Sequence, residues 1–115
     1  MILELEPEDV QRWLAERAIT LIDVREPHEF APERIKGAFL YPLSTFDPKA
    51  LPVTKDRTTV LYCGTAMRSA KALATCEKAG VAVDAHLKGG IKAWKACGLK
   101  TMRTDPNTGA IIETP

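Results

Sequence analysis

The chain has 115 residues, 45% of them apolar, which fits one domain with a buried core. That content excludes a disordered chain and a disulfide-stapled miniprotein. Lys plus Arg is 16 and Asp plus Glu is 15, a formal net charge of +1, which argues against a broad nucleic-acid surface.

Residues 2–5 read as a short strand. Pro7 suits the first turn of a helix, and Glu8 and Asp9 favour its positive end. Val10, Trp13 and Leu14 supply the apolar stripe of that helix, which ends near Arg17. Residues 19–24 are β-branched and almost wholly apolar, as in a strand buried on both faces. The charged segment 25–37, with Pro27, Pro32 and Gly37, predicts loops and a short helix. Residues 38–43 form a short apolar run broken by Pro42, and 44–57 predict loop with one helical turn. A second buried strand is expected at 58–62, a turn at 63–67 and a helix over 68–79 that stops at Gly80. A strand over 81–87, a tight turn at Gly89-Gly90 and a helix through Cys97 follow.

Strands alternating with helices predict a parallel sheet of about five strands, covered on both faces. Residues 1–100 form the expected domain. Residues 101–115 are polar with one apolar patch at Ala110-Ile111-Ile112, and are left open as a tail, an edge strand or a partner contact.

Three cysteines, at 63, 76 and 97, form no CxxC pair, and only His28 and His86 add imidazoles. No metal site is expected. Free thiols fit a reducing compartment, so the expected location is the cytoplasm. The acidic N-terminus does not resemble a signal peptide, and no apolar run approaches the ~20 residues of a membrane span.

The chemistry is expected outside the carboxyl ends of the strands. There Tyr62 is followed by Cys63-Gly64-Thr65-Ala66-Met67-Arg68, a cysteine and a short loop that runs into a helix. Such a loop can turn its backbone N–H groups inward as an anion nest, and the helix N-terminus adds partial positive charge. Both favour a sulfur anion. Arg68 offers a planar cation for oxyanions. Asp23 and Arg25 read as a structural polar network, with Asp23 or Glu29 available to Arg25. Cys76, Cys97 and Trp94 read as structural. His28 and His86 are given no catalytic role.

Four ordered segments resemble a single-domain rhodanese, a sulfurtransferase. They are Leu21-Ile22-Asp23-Val24-Arg25-Glu26; Glu29-Phe30 with Arg34-Ile35-Lys36-Gly37-Ala38; Cys63 through Arg68; and Leu87-Lys88-Gly89-Gly90-Ile91 with Trp94. Together they span about residues 3–100. The resemblance implies the three-layer rhodanese-like α/β fold. It implies that Cys63 is the nucleophile and carries sulfane sulfur as a persulfide. Gly64, Thr65, Ala66, Met67 and Arg68 would bind the substrate, their N–H groups facing the persulfide and Arg68 adding positive field. The sulfur would come from a small anion such as thiosulfate, or from a protein donor, and pass to cyanide or a thiol. No cofactor, nucleic acid or membrane is implied, and the chain would be a monomer or weak homodimer.

The C-x4-R spacing separates this loop from the longer C-x5-R of related phosphatases and arsenate reductases, which stand as the alternative. A non-enzymatic sulfur carrier is the other. Arg34 stands where the family often has His, and Ala66 where it often has Gly. A positive φ at Ala66 would strain the loop.

Overall fold

The computed structural model describes residues 2–114. Five parallel strands form one sheet in the order β1-β5-β4-β2-β3. They are β1 (Leu3–Leu5), β2 (Ile19–Asp23), β3 (Phe39–Leu40), β4 (Thr58–Tyr62) and β5 (Ala85–Leu87). Helices α1 (Pro7–Ala15), α2 (Pro27–Phe30), α3 (Met67–Lys78) and α4 (Gly90–Ala96) lie between or after them. Two single 3-10 turns, Leu43–Thr45 and Pro48–Ala50, break up the long β3–β4 connection. No helix among the described residues is long and apolar enough to cross a membrane.

Strand residues alternate between the two faces, so β2 and β4 divide their side chains between two cores. Leu21, Val60 and Tyr62 pack with Val10 of α1 and with Ile91 and Trp94 of α4. Ile22, Leu61 and Cys63 pack on the other face with Ala72, Leu73 and Cys76 of α3. All five residues of β2 are buried, as its unbroken apolar run predicts. The alternation also sets the side on which Cys63 emerges, since it continues the Leu61 face toward α3.

The predicted strand over 81–87 is shorter than expected. Gly80 takes φ +72°, Gly80 N–H bonds to the Glu77 carbonyl and Val81 N–H to the Cys76 carbonyl. That is a Schellman ending for α3, and it withdraws Val81 from the sheet. Ladder pairing begins at Ala85.

The C-terminal segment is a hairpin of β6 (Thr101–Thr104) and β7 (Ile111–Thr114). Asp105 closes it: its N–H bonds to the Ala110 carbonyl, and its carboxylate accepts Asn107 N–H at 2.9 Å. The other edge of β6 bonds to the segment before β3. Arg34 and Met102 exchange backbone hydrogen bonds of 2.8 and 2.7 Å, and Thr104 N–H reaches the Ala31 carbonyl. The hairpin is therefore tied to the domain by main-chain bonds as well as by buried Thr101.

Candidate functional site

The loop after β4 curls around the Cys63 sulfur, which is buried. Sγ accepts the backbone N–H of Ala66 at 3.1 Å and of Ser69 at 3.3 Å. Its thiol faces Ser69 Oγ at 3.6 Å. Two inward N–H groups and the first turn of the twelve-residue α3 thus meet at one sulfur. This is an anion nest, where N–H dipoles stabilise negative charge.

α4 holds the loop from outside. Ile91 N–H bonds to the Cys63 carbonyl at 2.9 Å and Lys92 N–H to the Gly64 carbonyl at 3.1 Å. The C=O and N–H of a trans peptide point in opposite directions. Those carbonyls face α4, so the N–H groups of Gly64 and Thr65 are turned away from it. Gly90 makes the approach possible, because a Cβ there would overlap the carbonyl oxygens of both Cys63 and Gly64.

Ala66, the residue before α3, has φ +90°. A left-handed conformation costs a residue with a Cβ about 1–2 kcal/mol. Ala66→Gly relieves that strain but loosens the unfolded chain, so urea unfolding should show a net gain of about 0.5–1 kcal/mol. A loss of stability would mean that the Ala66 methyl, not its backbone, matters.

Arg68 differs from expectation. It is not a free cation above the sulfur. Its Nη1 and Nη2 donate to Glu29 Oε1 and Oε2 at 2.6 and 2.9 Å. Glu29 is itself fixed, since Oε1 also accepts Glu26 N–H at 3.0 Å in the capping box of α2. Glu26 is anchored in turn by the Ser44 hydroxyl at 2.6 Å. The positive field expected from Arg68 is therefore largely cancelled, and Arg68 instead ties the loop to α2.

The Arg68 hydrogen bonds hold the Glu29 carboxyl down at about 2, against a burial effect that acts upward. A carboxylate depressed in the folded state stabilises it above the unfolded pKa and loses that contribution as pH falls. Wild type should therefore exceed Glu29→Gln by about 1 kcal/mol at neutral pH. The gap in thermal midpoint should close as pH falls from 4.5 toward about 2. A gap that persists at the acid end would show that the charge is not its source.

Asp23 and Arg25, one at the end of β2 and one just beyond it, form a buried pair. Arg25 Nε lies 3.1 Å from both Asp23 oxygens and Nη2 lies 2.9 Å from Oδ2. Burial works against the guanidinium charge, but the Asp23 hydrogen bonds and charge outweigh it and raise the Arg25 pKa. Of the two carboxylates open to Arg25, Asp23 takes it and Glu29 goes to Arg68. Tyr62 packs under Arg25 and its hydroxyl accepts Ile35 N–H at 3.2 Å. Burial, and then Asp23, push its phenol far above the ordinary range, so it stays neutral.

Of the expected substrate-binding residues, Ala66 alone directs its N–H at Sγ. Gly64 and Thr65 form the turn, and Met67 is open to solvent, with 75% of its surface exposed. Cys76 is buried in the α3 core and burial raises its pKa. Cys97 is exposed at the end of α4. Ser69 was not among the expected residues, yet it touches the sulfur through both backbone and side chain. Its place, one turn into the helix after a cysteine loop, is the signal that points to it.

Comparison with known proteins agrees with this fold. The family model described as Rhodanese-like domain matches residues 6–97. An uncharacterised protein of Synechocystis is 45% identical over 98 residues, which cover 85% of this chain and 55% of that protein. A protein of Allochromatium vinosum named sulfurtransferase is 33% identical over 100 residues, 86% of this chain and 94% of its own. Among solved structures, a thiosulfate sulfurtransferase from Pseudomonas aeruginosa superposes with a TM-score of 0.75 at 27% identity. That match covers 90% of this chain and 20% of the Pseudomonas one. The chain thus spans only about half the Synechocystis relative and a fifth of the Pseudomonas structure. A parallel five-stranded sheet, a cysteine loop set between β4 and α3, and a family match over most of the length agree: the chain belongs to the rhodanese-like domain family.

Proposed function

We propose that this domain transfers sulfane sulfur through a persulfide on Cys63. The observation that carries the reading is the Cys63 sulfur at the centre of the loop, held by the N–H groups of Ala66 and Ser69. A thiolate there attacks the outer sulfur of a donor. With thiosulfate, the new bond is Cys63 S–S, the sulfur–sulfur bond of the donor breaks, and sulfite leaves with the bonding pair. The persulfide anion keeps the negative charge near the nest. Attack of cyanide on the outer sulfur then gives thiocyanate and returns the thiolate. A thiol acceptor takes the sulfur in the same way. Neither half needs a cofactor.

The buried position of Sγ means that the sulfur added to it is the atom an acceptor meets. Neutralisation of Arg68 by Glu29 favours a donor that brings less charge than the thiosulfate dianion, such as a protein persulfide. The same ion pair supports sulfur transfer over phosphate or arsenate chemistry, because it occupies the fork that would hold an oxyanion. A monomer or weak homodimer in the cytoplasm suits exchange with small or protein partners.

The test is thiocyanate formation from thiosulfate and cyanide, with the intact mass read after donor treatment. Wild type should turn over and gain one sulfur, and Cys63→Ser should do neither. If thiosulfate, persulfide and mercaptopyruvate donors all leave Cys63 unmodified, the sulfur-carrier reading falls.

A further inference from the structure

Behind the Cys63 loop runs a chain of polar groups that the transfer steps do not use. His86 of β5 is buried and its Nδ1 lies 2.7 Å from Ser69 Oγ. Ser69 Oγ lies 3.6 Å from Cys63 Sγ and 3.2 Å from the Ala66 carbonyl. On the far side, His86 Nε2 is 3.9 Å from Oε2 of Glu4, which pairs with His86 across β1 and β5. Glu4 is more than half exposed. The polar groups therefore run from a buried sulfur toward the surface at Glu4, the last step from His86 being a gap of 3.9 Å rather than a hydrogen bond.

We propose that His86 is a positioning residue for Cys63 that acts through Ser69. In the thiol state the Cys63 S–H faces Ser69 Oγ, and the Ser69 hydroxyl donates to His86 Nδ1. On ionisation the S–H bond breaks and that proton joins Ser69 Oγ, while the former Ser69 proton joins His86 Nδ1. The Nε2 proton leaves to Glu4 or water. One proton has moved from sulfur to solvent, and no atom is oxidised or reduced. The His86 Nδ1–H now donates to Ser69, whose hydroxyl proton lies toward the sulfur anion. The nest gains a third donor beside the N–H groups of Ala66 and Ser69.

The surroundings suit a group that passes a proton on rather than keeping it. Burial lowers the His86 pKa, and Glu4 opposes that only in part. The shallow cleft at this surface is lined by Ile2, Thr65, Ala66, Met67 and Ala70 together with Glu4 and His86. From β4 the register neighbour is Leu61. Among the described residues, the ionisable groups facing His86 are thus Glu4 from β1 and, through Ser69 of α3, Cys63.

The inference gives the proposed sulfur carrier its proton path, and its test does not depend on any sulfur donor. Iodoacetamide is reacted with the full chain across the neutral pH range. Peptide mass spectrometry reads Cys63 separately from Cys76 and Cys97. His86→Phe should slow Cys63 alkylation about tenfold at neutral pH, the scale of one hydrogen bond to a charged group. Ser69→Ala should do the same, and the double variant should be no slower than Ser69→Ala, because His86 acts through that hydroxyl. His86→Asn keeps a donor at the Nδ1 position without a titrating ring. It should recover most of the rate and lose the second inflection that His86 gives the wild-type pH profile. If His86→Phe does not fold, Glu4→Gln on the exposed edge decides, since it should move that inflection to lower pH. A wild-type rate in His86→Phe, multiplicative losses in the double variant, or an inflection indifferent to both His86→Asn and Glu4→Gln overturns the inference. Alkylation that behaves as expected in a chain that accepts no sulfur would retain it and reject the transfer reading.

Discussion

Gly90→Ala should unfold or severely loosen the domain, at a cost of about 3–5 kcal/mol. Two effects add. Gly90 has φ +65°, a conformation unfavourable to alanine. The new Cβ would also strike the carbonyl oxygens of Cys63 and Gly64, which are main-chain atoms with little room to move. These carbonyls are the ones that α4 grips, so the loss falls on the cysteine loop first. Against a typical total stability of about 5–15 kcal/mol, the change is large. Gly80→Ala provides the comparison. It shares a positive φ of +72°, but nothing lies within 4 Å of its Cβ. It should cost only the conformational part, about 1–2 kcal/mol. Urea unfolding of the two variants separates steric overlap from backbone strain. Equal losses would mean that the contact with the loop carbonyls is easily relaxed.

The second large effect is expected at the buried pair. Arg25→Met leaves Asp23 fully buried without its counter-charge and should cost about 3–5 kcal/mol. It also removes the Arg25 bond to the Glu33 carbonyl, which ties the end of β2 to the segment that receives β6. Asp23→Leu should be as damaging for the mirror reason. The double replacement should be less harmful than either single one, because neither charge is then stranded. Thermal or urea unfolding of the four chains closes the cycle. A double variant as unstable as the sum of the singles would show that the residues act separately.

The sequence made β2 and β4 plain, because residues buried on both faces leave an unbroken apolar run. It also exposed the loop, since a cysteine between a strand and a helix has few ordinary structural uses. The four rhodanese-like segments brought the family within reach. Other features were hidden because they rest on contacts between distant residues. Arg68 looked like a free cation because nothing near it in sequence shows that Glu29 lies against it. His86 carries no sign of a catalytic role in the sequence, because its partner Ser69 sits on another element and only the fold buries the two together. Val81 and Val83 read as strand by composition, while the turn at Gly80 uses the Val81 backbone to finish α3. The hairpin is hard to read in the sequence because β6 and β7 are weakly apolar, although Asp105-Pro106-Asn107-Thr108-Gly109 carries the turn chemistry that joins them.

The position of β1 at the sheet edge has a consequence for biosynthesis. Among the described residues, Leu3, Glu4 and Leu5 pair only with Ala85, His86 and Leu87. The ribosome makes the chain from N- to C-terminus, so β1 is released some eighty residues before its partner strand β5. Pairs this remote in sequence are slow to form, because the intervening chain must close a long loop. The pairing of β2 with β4 spans a much shorter stretch and is available earlier. During synthesis the sheet therefore grows outward from its middle, and β1 docks as one of the last steps. Until then the strand that holds His86 is an open edge, a template for pairing with another chain.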